Sequence, residues 1–143
     1  MNSLVDEVYH LAEIFSELKT KKGVFGVLGN HDFYTSNVEI VAKEIEQCSI
    51  KLLRNEHFVI ENGTGKLFLL GVDDFSRRQI AESTFKKITS SLEPAIPKVL
   101  MRHRPYFFQQ AVQNDIDLAL SGHTHERSCL NVCFPSVAHI PFI

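Results

Sequence analysis

The chain has 143 residues, about one domain, and is long enough to bury a real core. Its 15 Lys and Arg against 17 Asp and Glu leave a net charge of −2, so there is no basic footprint for nucleic acid. Apolar residues at 44% and charged residues at 22% describe an ordinary globular chain, not a disordered one.

Val5, Val8, Leu11, Ile14, Phe15 and Leu18 recur at helical spacing and predict an amphipathic helix over 4–19, stopped by Gly23. Val24 to Leu28 is apolar at almost every position and reads as a buried, parallel strand. Gly29-Asn30-His31-Asp32 then stands at its carboxyl end, the place where open α/β sheets bind ligands. Ser36-x-x-Glu39 predicts a capping box opening a helix with Val38, Val41, Ala42, Ile45 and Cys48 inward. Phe58–Glu61 and Leu67–Val72 flank Asn62-Gly63-Thr64-Gly65, a β-hairpin pattern. A weaker helix is expected over 80–88, a strand over 98–101, a helix from Pro105 through Val112 and a strand over 116–120. Residues 131–143 show no clear alternation and are expected to form a short tail.

Three times a short apolar strand leads at once into a histidine loop: His31, His103, and His123-x-His125. Parallel strands place their carboxyl ends on one side of a sheet, so these residues can converge. Imidazoles with the Asn30 amide oxygen form a mixed nitrogen and oxygen donor set that suits Mn, Fe, Zn or Ni better than Mg or Ca. Gly29 and Gly122 are expected to allow tight turns, even at positive φ, that aim the next side chain at an ion. Asp32 beside His31 is expected to orient the imidazole and favour its protonation, which suits a departing oxygen. Taken singly, each string has a plainer reading: Gly-Asn-His-Asp as a turn, His103 as a surface histidine, Asp73-Asp74 as a turn or cap, and Arg77, Arg78, Arg102 and Arg104 as solvated arginines. Cys129, Cys133 and His139 fit no standard zinc spacing.

The ordered set, Gly29-Asn30-His31-Asp32, then His103 before a proline, then Ser121-Gly122-His123-Thr124-His125, resembles the calcineurin-like metallophosphoesterases over residues 4–125. The resemblance implies an α/β fold, a sandwich of two β-sheets flanked by helices. It implies a centre of two divalent metal ions that hydrolyses phosphomonoesters or phosphodiesters. By position, Asn30, His103 and His123 match ligands of one metal and His125 a ligand of the other. His31 matches the catalytic histidine, with Asp32 its support.

Two features depart from that pattern. No Asp-x-His precedes Gly29, and Ser3 stands where a metal-bridging Asp is expected. The whole chain, 1–143, is therefore expected to be a single, partial domain cut at both ends, with 126–143 a divergent tail. Two readings stay open: a metal-dependent phosphoesterase acting on a phosphoester substrate, or a non-catalytic remnant of that fold binding one metal ion at most. A plain nucleotide-binding domain is weaker, because no Gly-x-Gly-x-x-Gly or Walker loop is present. The three cysteines are odd in number and no signal peptide opens the chain, so the expected location is the cytoplasm; some members of the family carry a membrane anchor ahead of this domain. No apolar run approaches the ~18 residues of a membrane span.

Overall fold

Two sheets, each covered by helices, set the frame of the site. The structure is a computed structural model that describes residues 14–15, 17–18, 20–34, 37–74, 78–123 and 131–133. Strands β1 (Val24–Gly26) and β2 (Ile50–Leu52) pair in parallel, Val24 opposite Ile50. Between them run helices α1 (Asn30–Tyr34) and α2 (Val38–Gln47). Leu28, Ala42 and Leu52 form the core of this unit, with Phe33, Val38 and Ile45 packed against it. Of the five residues expected inward, Ala42 is buried and Val38 and Ile45 pack on this core, while Val41 and Cys48 are half-buried.

The second sheet has five strands in the order β3-β4-β5-β6-β7. Strands β3 (Glu56–Asn62) and β4 (Gly65–Gly71) are the expected hairpin, turning at Gly63 with φ 60. Helix α3 (Arg78–Thr89) carries the chain to β5 (Lys98–Arg102), parallel to β4. Helix α4 (Phe108–Gln113) carries it to β6 (Leu118–Ser121), parallel to β5. Phe68, Leu70, Val72, Phe85, Ile88, Leu92, Leu100, Ala111 and Ile116 fill the space between this sheet and its two helices. The two sheets touch at Gly71, where a Cβ would overlap the side chain and carbonyl of Leu53, just past β2.

This is the two-sheet α/β architecture expected, with local corrections. Strand β1 ends at Gly26, two residues early, although Leu28 beyond it is fully buried. The cap of α2 is Asn37, whose Oδ1 accepts from the Ile40 N–H at 3.4 Å; Asn caps a helix at least as well as Ser, and Ser36 lies outside the described residues. Helix α4 starts at Phe108, three residues beyond Pro105, with Phe107 at its N-cap. The expected tail contributes a strand, β7 (Asn131–Cys133), antiparallel to β6. Of the expected N-terminal helix, Ile14 and Phe15 are helical, but Ile14 and Leu18 are about half exposed rather than inward. Residues 4–13, 16 and 19 of that helix lie outside the described residues. Among the described residues no helix is long and apolar enough to cross a membrane.

Candidate metal centre

Beyond β1 the backbone turns directly into α1, and the turn is locked from both sides. The Gly29 N–H donates to Oδ2 of Asp32 at 2.7 Å, and the Asp32 N–H donates to the Gly29 carbonyl at 3.2 Å. An acid three residues into a helix commonly reaches back this way. Asn30, between them, is buried, and its Oδ1 has no hydrogen-bond partner among the described residues. A buried amide oxygen without a donor costs on the order of 1–3 kcal/mol unless a positive group approaches it. His31 is exposed, its ring centroid 5.8 Å from that of Tyr34.

The parallel pairing of β5 and β6 sets Arg102 opposite Ser121, so His103 and His123 leave the sheet side by side. The Gly122 N–H donates to the His103 carbonyl at 3.0 Å, tying the two loops together. Nε2 of His103 and Nδ1 of His123 stand 3.1 Å apart, the rings crossing at 76°. Two nitrogens bound ~2.0–2.1 Å from one ion, at angles between octahedral and tetrahedral, lie about 2.8–3.4 Å apart. The pair therefore has the spacing of neighbouring ligands. Burial and the neighbouring His123 push the His103 imidazole below its ordinary value, against Asp74 and Asp32. The neutral ring that results is the form that ligates a metal.

The backbone strain falls where the sequence did not place it. Neither Gly29 nor Gly122 takes positive φ; His123 itself does, at φ 72. A non-glycine residue held there is uncommon, and such positions gather at functional sites. Gly29 serves by its smallness instead. A Cβ on it would lie 3.0 Å from Cγ, Cδ2 and Cε1 of His103, so the Gly29 backbone rests on the face of that ring. This contact brings the β1 loop to the β5 loop across the two sheets.

Asp73 and Asp74, at the end of β4, are buried rather than forming a solvated turn. Asp73 bridges the sheets. Its Oδ2 accepts from Asn55 Nδ2 at 3.1 Å and lies 3.5 Å from Arg54 Nε, while its N–H donates to Asn55 Oδ1 at 3.0 Å. Burial pushes the Asp73 carboxyl up, against the pull of Arg54 and Asn55. Asp74 faces the other way. Arg104 Nε donates to both of its oxygens, at 2.8 and 2.6 Å, and Arg102 Nη2 lies 3.5 Å from Oδ1. Arg102 and Arg104 are thus not the solvated arginines their loop position suggested. Arg102 is 2% exposed and its guanidinium lies over Phe107, 3.4 Å from the ring centroid. Burial pushes Arg102 down to about 10, against the pull of Asp74, which leaves it charged at neutral pH.

The described residues thus bring His103 and His123 together, with the loop that carries Asn30 packed on the His103 ring at Gly29, His31 exposed and Asp32 as a cap. His125, the expected ligand of a second ion, and Ser3 lie outside the described residues. Among the described residues no three His, Cys, Asp or Glu side chains gather into a group that could hold a metal ion. Asp74 was within reach of the sequence: it follows a buried strand, as the three histidine loops do.

The calcineurin-like phosphoesterase family model matches residues 4–127. A transmembrane protein with metallophosphoesterase domain from Danio rerio is 32% identical over 133 residues, covering 87% of this chain and 30% of the relative. An uncharacterized metallophosphoesterase of Aquifex aeolicus is 31% identical over 119 residues, covering 81% and 44%. The uncharacterized metallophosphoesterase YkoQ of Bacillus subtilis is 31% identical over 111 residues, covering 76% and 40%. The chain spans less than half the length of each of these relatives. No solved structure matches it. With the strand-end order of its motifs and the match over most of its length, the chain belongs to the calcineurin-like phosphoesterase family.

Proposed function

We propose that this chain carries the centre of a metal-dependent phosphoesterase, with Asn30, His103 and His123 holding a divalent ion such as Mn, Fe, Zn or Ni. The observation that carries the reading is the 3.1 Å approach of His103 Nε2 to His123 Nδ1. The orphaned Asn30 Oδ1 fits it: a neutral acceptor, already desolvated, at the loop that packs on His103. When bound, the ion supplies positive charge to phosphoryl oxygens and eases the loss of a proton from water. The chain's own residues do the rest. The two imidazoles set Nε2 of His103 and Nδ1 of His123 at neighbouring positions. Asp32 holds the turn that presents Asn30. His31 stands in reach of solvent, where a substrate enters, and is the residue assigned to hand a proton to the departing oxygen of a phosphomonoester or phosphodiester. His125 is assigned to a second ion.

Two measurements on the 143-residue chain test this: bound metal by elemental analysis, and Mn-dependent hydrolysis of an aryl phosphate and a bis-aryl phosphodiester. Near two ions per chain, with turnover lost in His31→Ala, supports the enzyme. One ion or none, without turnover, supports the remnant that binds one ion at most.

A further inference from the structure

We infer that Asp74 is a positioning residue, whose buried carboxylate holds the two arginines on either side of His103 and so fixes where that imidazole stands. The inference rests on the metal-centre reading above and adds to it a residue outside the donor set. Three observations carry it.

First, the Asp74 side chain is fully buried, and its partners are the two chain neighbours of His103. Arg104 Nε reaches both carboxylate oxygens, at 2.8 and 2.6 Å, and Arg102 Nη2 lies 3.5 Å from one of them. Second, Arg102 is held independently, its guanidinium carbon lying over Phe107 at 3.4 Å from the ring centroid. Third, β5 ends at Arg102 and the chain bends at His103 and Arg104. With residues 102 and 104 fastened to one acid, the backbone of the residue between them is held. The His103 ring it carries meets the Gly29 backbone and His123. The carboxylate sits at the end of β4 and the imidazole just beyond β5, and these strands are hydrogen-bonded neighbours, so the hold is short and rigid.

Asp74 also offsets two cations placed beside a cation site, and charge alone makes a different prediction from position. If the arginines acted on the ion only by repulsion, removing Arg104 would tighten metal binding. If Arg104 with Asp74 fixes the His103 ring, removing it weakens metal binding.

The test is Co2+ affinity of the full 143-residue chain, read by visible absorption, for the parent, Asp74→Asn and Arg104→Gln, with urea unfolding of each apo chain alongside. Partners that orient metal-ligating histidines are commonly worth about 10–100-fold in metal affinity. Weaker Co2+ binding by about tenfold or more in both variants, with the Arg104→Gln urea midpoint near the parent's, is the expected result. Arg104 is partly exposed, so its variant keeps the test decisive if Asp74→Asn does not fold. Parent-like affinity in a folded Asp74→Asn chain, or parent-like or tighter binding in Arg104→Gln, overturns the inference alone. A parent chain that binds no Co2+ overturns it together with the metal-centre reading.

Discussion

Gly29 lies on the face of the His103 imidazole, so closely that a Cβ at residue 29 would stand 3.0 Å from three of the ring carbons. The loop that presents Asn30 and the loop that presents His103 are therefore in contact before any ion arrives. In Gly29→Ala the ring must tilt or the loop must lift. Overpacking of this kind costs about 1–3 kcal/mol. The variant is expected to unfold at lower urea and to take up Mn or Co more weakly. Parent-like values of both would show that the contact does not set the ring.

Gly71 tests the junction between the sheets. Its would-be Cβ overlaps the Leu53 side chain and backbone, which cannot swing aside as the end of a long side chain can. Gly71→Ala is expected to lose about 1–3 kcal/mol or more of stability by urea unfolding. Gly122→Ala serves as the comparison, since a Cβ there meets nothing within 4 Å.

Asp73 gives a pH signature. Its folded carboxyl titrates above the ordinary value of 3.8, burial outweighing Arg54. The folded chain therefore holds this proton more tightly than the unfolded chain does. The contribution of Asp73 is most favourable below pH 3.8 and is lost as pH rises through the folded value. Asp73→Asn has no such titration, and the other carboxylates cancel in the difference. The stability of Asp73→Asn relative to the parent is expected to improve from pH 4 to pH 7, read by urea unfolding at both. A relative stability that worsens over that range would reverse the sign.

Much of this was legible in the sequence because short apolar strands and glycine turns act locally. Phe58–Glu61 and Leu67–Val72 flank a glycine turn, and the hairpin follows. The three histidine loops stand at strand ends because strand and loop adjoin in the chain. The pairing of His103 with His123 came from knowing that parallel strands end together. What the sequence concealed depends on partners distant along the chain. Arg102 and Arg104 look like loop arginines until Asp74, 28 and 30 residues away, is seen beside them. The positive φ of His123 was assigned to its glycine neighbour, because side-chain size alone does not reveal which residue of a tight turn carries the strain. Strand β7 shows no alternation because three residues are too few to display one.

Equilibrium uptake of a divalent ion by the parent chain and by His123→Ala, read as metal retained after dialysis against Mn or Zn, tests the central claim most directly. The account predicts that the parent retains metal and that His123→Ala loses it while remaining folded. Equal retention by both would show that His103 and His123 meet without sharing an ion.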